Sequence, residues 1–430
     1  MIFSPRTPVI ALTVATLSLC VIAAPPTRAD SDALHIPIAR RNRLTIVDDL
    51  PAIADAVRMR YGYSPKSMTK RSQTAQVQVT DHGRDSAYSG AVSIGTPGQD
   101  FNVQLDTGSS DFWVATTQCT TCTPVAGTPA PLFDTSKSSS YKVINSSLQI
   151  NYGSGSVVGI VSQDTVTFGG FTVPQQTFLA VTETNLSLLT FGISGIMGLG
   201  FEAISGLNAT PFWAELNDTN QLSAPIMSIY LQRYIASAQY SESGGTLTLG
   251  GTDTSLYTGD IDYNDMPSGA VPSYWLQEVK NLTVHGSEII VNSTNGVAAI
   301  DTGTTLIGAP TNYVEEIWGA VPGSEALTGE YQGMYAYPCS TDLSISVSFG
   351  GISWQISNAD MSIADFTTTE DSGSMCVGAI FDLGSLAEPN TSLAPTWIFG
   401  DTFLKNVYSV FRADPPSVGF AQLSSTGMCD

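Results

Sequence analysis

The sequence predicts a mainly β protein built as two similar lobes. Its 430 residues exceed what one small core needs, so two cores are expected. Beyond Ser72 the chain reads as short strands broken by turns, with 39 glycines in the whole sequence to make them. One phrase also occurs twice, as Asp106-Thr107-Gly108 and again as Asp301-Thr302-Gly303.

The strands announce themselves by alternation. In "FNVQL", Phe101, Val103 and Leu105 fall on one face and Asn102 and Gln104 on the other; "LSISVSF" (Leu343 to Phe349) alternates likewise. "GTPGQD" is a turn before the first, and "GGTLTLGG" is a strand bracketed by glycines. Helical signals are few: "PFWAEL" from Pro211 to Leu216, and "TNYVEEIWGAV" around Tyr313 to Val321. The two-lobe expectation comes from a longer repeat. Asp106 is followed after 92 residues by the Gly of Ile196-Met197-Gly198, and Asp301 after 99 by the Gly of Ile398-Phe399-Gly400. Two such halves around a rough twofold axis bring the aspartates face to face.

Ahead of this body, residues 1–24 read as a secretory signal, with Arg6 before an apolar stretch that is short for a membrane span and is followed by Pro25-Pro26. Residues 25–71 form a basic propeptide ending in Lys70-Arg71, a dibasic processing site. The lobes are expected at 72–235 and 236–430. The formal charge is −21, but residues 72–430 hold seven basic and 33 acidic side chains. That surface repels nucleic acid and anionic lipid, so neither is expected as a partner. It suits work at low pH, although acidity that merely keeps a secreted protein soluble explains it as well. A basic leader on so acidic a body binds it electrostatically and can cover a cleft until removed.

Seven N-x-[ST] sequons, at Asn145, Asn185, Asn208, Asn217, Asn281, Asn292 and Asn390, fit the secretory route. In an oxidising compartment Cys119 pairs with Cys122 and Cys339 with Cys376, leaving Cys429 over or competing for one of these partners. Cys-x-x-Cys also serves redox chemistry or half a zinc site, but nothing completes a metal site, and neither metal nor cofactor is expected. A secreted monomer is expected, with delivery to an acidic vacuole as the alternative.

An Asp at the end of an apolar strand is costly unless hydrogen-bonded or functional. Here each is followed by Thr-Gly and then a hydroxyl, Ser109 or Thr304. Together with "YSGAVSIGTPGQDFNVQLDTGSSDFWV", "YGSGSVVGI", "SGIMGLG", "AIDTGTTLI" and "WIFGDTFLKNVYSVFR", these residues resemble the pepsin-like aspartic proteases from the leader to Leu423. The resemblance implies a bilobed β fold with pseudo-twofold symmetry, a central cleft, and Asp106 and Asp301 as the catalytic pair. Two carboxylates in contact cannot both ionise, behaviour for which this family is itself the standard instance. One charged and one neutral acid then act together on a shared water, as base and as proton donor. By the same resemblance Thr107 and Thr302 cross-link the two loops, Ser109 and Thr304 orient the carboxylates, and Gly108 and Gly303 permit the turns. Tyr152, Gly153 and Ser154 form a flap over the cleft, with Tyr152 meeting Trp113.

Polypeptides are the expected substrates, and the propeptide the expected intramolecular inhibitor. Gln104 faces the cleft where relatives are often apolar, and Ser154 gives the flap no carboxylate, so large apolar side chains are expected on both sides of the cut bond. Relatives often place Lys-Tyr at the aspartates; here Arg60-Tyr61 stands in that position. Serine-protease chemistry lacks a suitable His and any G-x-S-x-G, and a glycosidase pair would not explain the doubled frame. The rival from another class is a catalytically silent binding or inhibitor protein of the same fold.

Overall fold

The computed structural model describes residues 34–40, seven positions between 54 and 63, and most of 87–424, omitting 123–129, 153–154, 186–188, 190–191, 234–242, 294–295, 367–373 and 385–394. The expected boundaries at 24/25, 71/72 and 235/236, and Lys70-Arg71, lie outside these residues.

The fold is mostly β, and the described residues form sheets of 13, five, four and four strands. The doubled phrase becomes a doubled topology. Strand Gln99–Asp106 runs parallel to Gly195–Gly198, with Asp106 opposite Gly198, and the latter strand is antiparallel to Phe112–Ala115. In the second half Val297–Ile300 runs parallel to Trp397–Phe399, which is antiparallel to Ile307–Ala309. Each Asp-Thr-Gly therefore turns between two strands that flank the later apolar-apolar-Gly. A Cβ on Gly198 would collide with the Ser110 backbone, and one on Gly400 with the Thr304 carbonyl, so the repeat needs glycine for close approach.

Residues of the two helical segments fold as read, with shifted ends: Phe212–Asp218 and Thr311–Gly319. Both start directly after a proline, Pro211 and Pro310, whose fixed φ suits a helix entrance. The alternating "LSISVSF" gives strand Ile345–Ser348. The 119–122 and 339–376 disulfides are formed, the latter with Cα atoms 5.0 Å apart. Cys429 and Asn390 lie outside the described residues.

The two halves share one apolar core. Trp275 packs at a tilt against Phe201 and Trp213 from the first half and edge-on against Phe411 from the second, and its Nε1 donates to the Leu199 carbonyl at 2.8 Å. The largest sheet also crosses between halves, and leader strand Leu34–Arg40 is part of that crossing. It pairs antiparallel with Ser243–Leu249 on one side and with Tyr88–Ile94 on the other.

One buried carboxylate, Asp360, ties the far side of this core. It accepts from Arg233 Nη2 at 2.6 Å, Lys405 Nζ at 2.8 Å and Asn406 Nδ2 at 3.0 Å. Burial alone would raise its pKa, but Lys405 and Arg233 outweigh this and hold it below the ordinary value. A depressed carboxylate contributes stability that is complete above its unfolded value of 3.8 and lost as pH falls through its lower folded value. Asp360→Asn takes the countercharge from buried Lys405 and partly exposed Arg233 and is expected to cost about 3 kcal/mol near neutral pH, shrinking below the ordinary Asp range. Thermal unfolding of both proteins across pH, with a gap that fails to narrow in acid, would refute this.

Candidate active site

Asp106 closes strand Gln99–Asp106, and Asp301 follows Val297–Ile300; both are almost completely buried, at 1% and 0% exposure. Each carboxylate is held by its own loop. Gly108 N–H donates to Asp106 Oδ1 at 3.0 Å and Ser109 Oγ to Oδ2 at 2.5 Å. Gly303 N–H donates to Asp301 Oδ1 at 2.8 Å and Thr304 Oγ1 to Oδ2 at 2.6 Å. The two loops meet so closely that a Cβ on Gly108 would strike Asp301, and one on Gly303 would strike Asp106.

The threonines lock this approach. Thr107 Oγ1 donates to the Ile300 carbonyl at 2.8 Å and accepts from Thr302 N–H at 2.9 Å. Thr302 Oγ1 does the reverse, to the Leu105 carbonyl at 2.9 Å and from Thr107 N–H at 3.0 Å. Thr302→Val keeps the shape but leaves a carbonyl and an N–H of the other half without partners, a cost of about 2–6 kcal/mol at 1–3 per group. We expect a lower unfolding temperature together with lower activity; an unchanged unfolding temperature would count against the lock.

Arg60 and Tyr61 of the leader occupy the aspartates. Arg60 Nη2 donates to both Asp106 oxygens at 2.7 Å, Nη1 reaches Asp301 Oδ2 at 3.2 Å, and Tyr61 OH donates to the same Oδ2 at 2.8 Å. Burial pushes the Asp106 carboxyl up; Arg60 opposes the rise and Asp301 adds to it. Burial would lower Arg60, but the two aspartates more than offset it and keep the guanidinium charged. Tyr61 is raised by burial and by Asp301, so it donates as a neutral phenol, with its ring 5.0 Å from that of Tyr274. Tyr63 OH donates to the Pro395 carbonyl at 2.9 Å.

Lys142–Tyr152 and Gly155–Phe168 form an antiparallel hairpin in which Tyr152 pairs with Gly155; its tip, Gly153 and Ser154, lies outside the described residues. The Tyr152 ring is 6.5 Å from that of Trp113. The Tyr152 hydroxyl and Trp113 Nε1 are both buried, and neither has a partner of good geometry among the described residues. Burial raises the Tyr152 hydroxyl, with Asp111 and Asp106 adding to it.

Gln104 lies on the face of its strand that the alternation predicts, but that face is covered. Instead of lining an open cleft it is 6% exposed, its Nε2 3.5 Å from the Gly303 carbonyl, because the second half covers the polar face of its strand. Sequence reasoning missed Asp111, which accepts from Ser205 Oγ at 2.6 Å, Gly206 N–H at 2.9 Å and Leu207 N–H at 3.1 Å. Its partners lie far along the chain, and no local pattern marks them. Among the described residues no group of His, Cys, Asp and Glu is arranged to hold a metal, and no helix is long and apolar enough to cross a membrane.

The family model described as eukaryotic aspartyl protease matches residues 87–423, which include both carboxylate loops. The chain belongs to the eukaryotic aspartyl protease family. This aspartyl protease is 41% identical over 368 residues to Major aspartyl peptidase 1 of Cryptococcus neoformans var. grubii, covering 83% of this chain and 73% of the relative. It is 30% identical over 380 residues to cathepsin D of Gallus gallus, covering 87% and 89%, and 32% identical over 344 residues to pepsin A of Sus scrofa, covering 79% and 82%. The protease is an aspartic endopeptidase of the pepsin-like group, and its substrates are polypeptides.

Proposed function

We propose that the protease hydrolyses peptide bonds at acid pH through a water held between Asp106 and Asp301, and that it is made as a zymogen plugged by Arg60. One observation carries this reading: a single guanidinium grips carboxylates donated by opposite halves. The carboxylate loops also approach so closely that Gly108 abuts Asp301 and Gly303 abuts Asp106, which leaves a small polar space for a shared water once the arginine has left. The ionised member of the pair takes a proton from the water as it attacks the peptide carbonyl, and the protonated member donates to the developing oxyanion. The proton belongs to the pair jointly. No covalent intermediate is required. Tyr152 packs its ring 6.5 Å from that of Trp113 beside the site, a position suited to covering a bound chain and excluding water. Two disulfides support a secretory route.

Acidifying the purified precursor tests the reading. The expected result is a new N-terminus near Ser72 together with hydrolysis of an unfolded protein, blocked by a peptide that mimics the tetrahedral transition state. An acidified, processed chain that binds such a peptide yet cleaves nothing would favour the silent binding protein.

A further inference from the structure

A second leader arginine, Arg58, is buried more deeply than Arg60, at 1% exposure, and the chemistry above does not use it. Its Nε donates to the Asp382 carbonyl at 2.6 Å, and its guanidinium carbon lies 5.1 Å from the centroid of the Phe381 ring. Nη1 donates to Asp55 Oδ1 at 2.5 Å, within the leader itself, while buried Nη2 has no hydrogen-bond partner among the described residues. The Asp382 carboxylate, oriented by Thr311 Oγ1 and the Gly384 N–H at 2.7 Å each, also attracts the guanidinium. Burial nevertheless dominates and lowers the Arg58 pKa.

Aromatic face, carbonyl and carboxylate all belong to the body, whereas Asp55 departs with the leader. Their combination suits a planar cation that stacks and donates in several directions. Two residues along the leader from Arg58, Arg60 touches both aspartates, so the site lies beside the catalytic pair, within about 7 Å of backbone. The body also carries seven basic against 33 acidic residues, a field that draws cationic peptides in.

We propose that, once the leader is gone, the Phe381–Asp382 pocket is a subsite for a basic substrate side chain, arginine in preference to lysine. This rests on the peptidase reading and narrows its substrate class: Arg58 imitates a substrate side chain, and the subsite is separate from the positions flanking the cut bond.

The test uses acid-activated enzyme and quenched fluorescent peptides of one parent sequence. Arg, Lys, Gln or norleucine is placed in turn at each position around an apolar cut bond. At one position Arg is expected to raise kcat/KM about tenfold over norleucine, with Lys between them. In Asp382→Asn the Arg-to-norleucine ratio is expected to fall by about threefold or more. The ratio within each enzyme cancels any general loss of active protein, and the wild-type panel stands even if the variant folds poorly. Cleavage of the norleucine peptides with no Arg advantage anywhere, or an undiminished ratio in Asp382→Asn, overturns the subsite alone. Cleavage of no peptide overturns the peptidase reading and the subsite with it.

Discussion

Asp301→Asn is expected to lower kcat/KM for peptide hydrolysis by about 10⁴-fold or more, because the site loses both a shared proton and a charge that acts only in the transition state. The fold should survive. Asn keeps Oδ1 as acceptor for the Gly303 N–H, its Nδ2 donates to the Thr304 hydroxyl once that hydroxyl rotates to accept, and an amide in place of a buried carboxylate removes a desolvation cost. Asp106→Asn should match it, since neither carboxylate works by itself. Equal unfolding temperatures with activity lost in both variants is the predicted pattern; a variant retaining a tenth of wild-type kcat/KM would end the shared-water mechanism.

Arg60→Ala should remove latency from the uncleaved precursor. Truncating one partner of a buried, hydrogen-bonded ion pair costs about 2–5 kcal/mol, so the leader's hold should weaken by roughly 30-fold to several thousandfold. The pH dependence has a definite sign. Asp106 sits above the ordinary 3.8, and Arg60 stays charged throughout, so acid neutralises the carboxylate side of the pair. The hold is complete at pH values well above the Asp106 range and fades as pH falls through it. Wild-type precursor should thus be silent toward a small peptide in mild acid, while intact Arg60→Ala precursor cleaves it. Equal latency of the two, with gels showing both chains uncut, would overturn the plug.

Much of this was legible in the sequence, for a physical reason. A symmetric site repeats its local demands, so Asp-Thr-Gly, the following hydroxyl and the later apolar-apolar-Gly each occurred twice at similar spacing. Arg60-Tyr61 could be placed only by resemblance to relatives, since nothing local ties a leader arginine to an Asp 241 positions away. Asp111, Asp360 and Arg58 stayed hidden because their partners are distant in sequence; Arg58 meets a carbonyl 324 residues later. Gln104 was assigned the right face of its strand, but alternation says nothing about what the other half lays across that face.

Leader strand Leu34–Arg40 is hydrogen-bonded on both edges, to Tyr88–Ile94 and Ser243–Leu249. Scission after Arg71 would therefore not free it, since the ladder would keep a nicked segment seated as a non-covalent subunit. Departure would be a second event, uncovering the edges of Tyr88–Ile94 and Ser243–Leu249 for pairing with an extended chain nearby. If the segment is shed, protein concentration would then decide whether the opened seam closes within one molecule or recruits a neighbour.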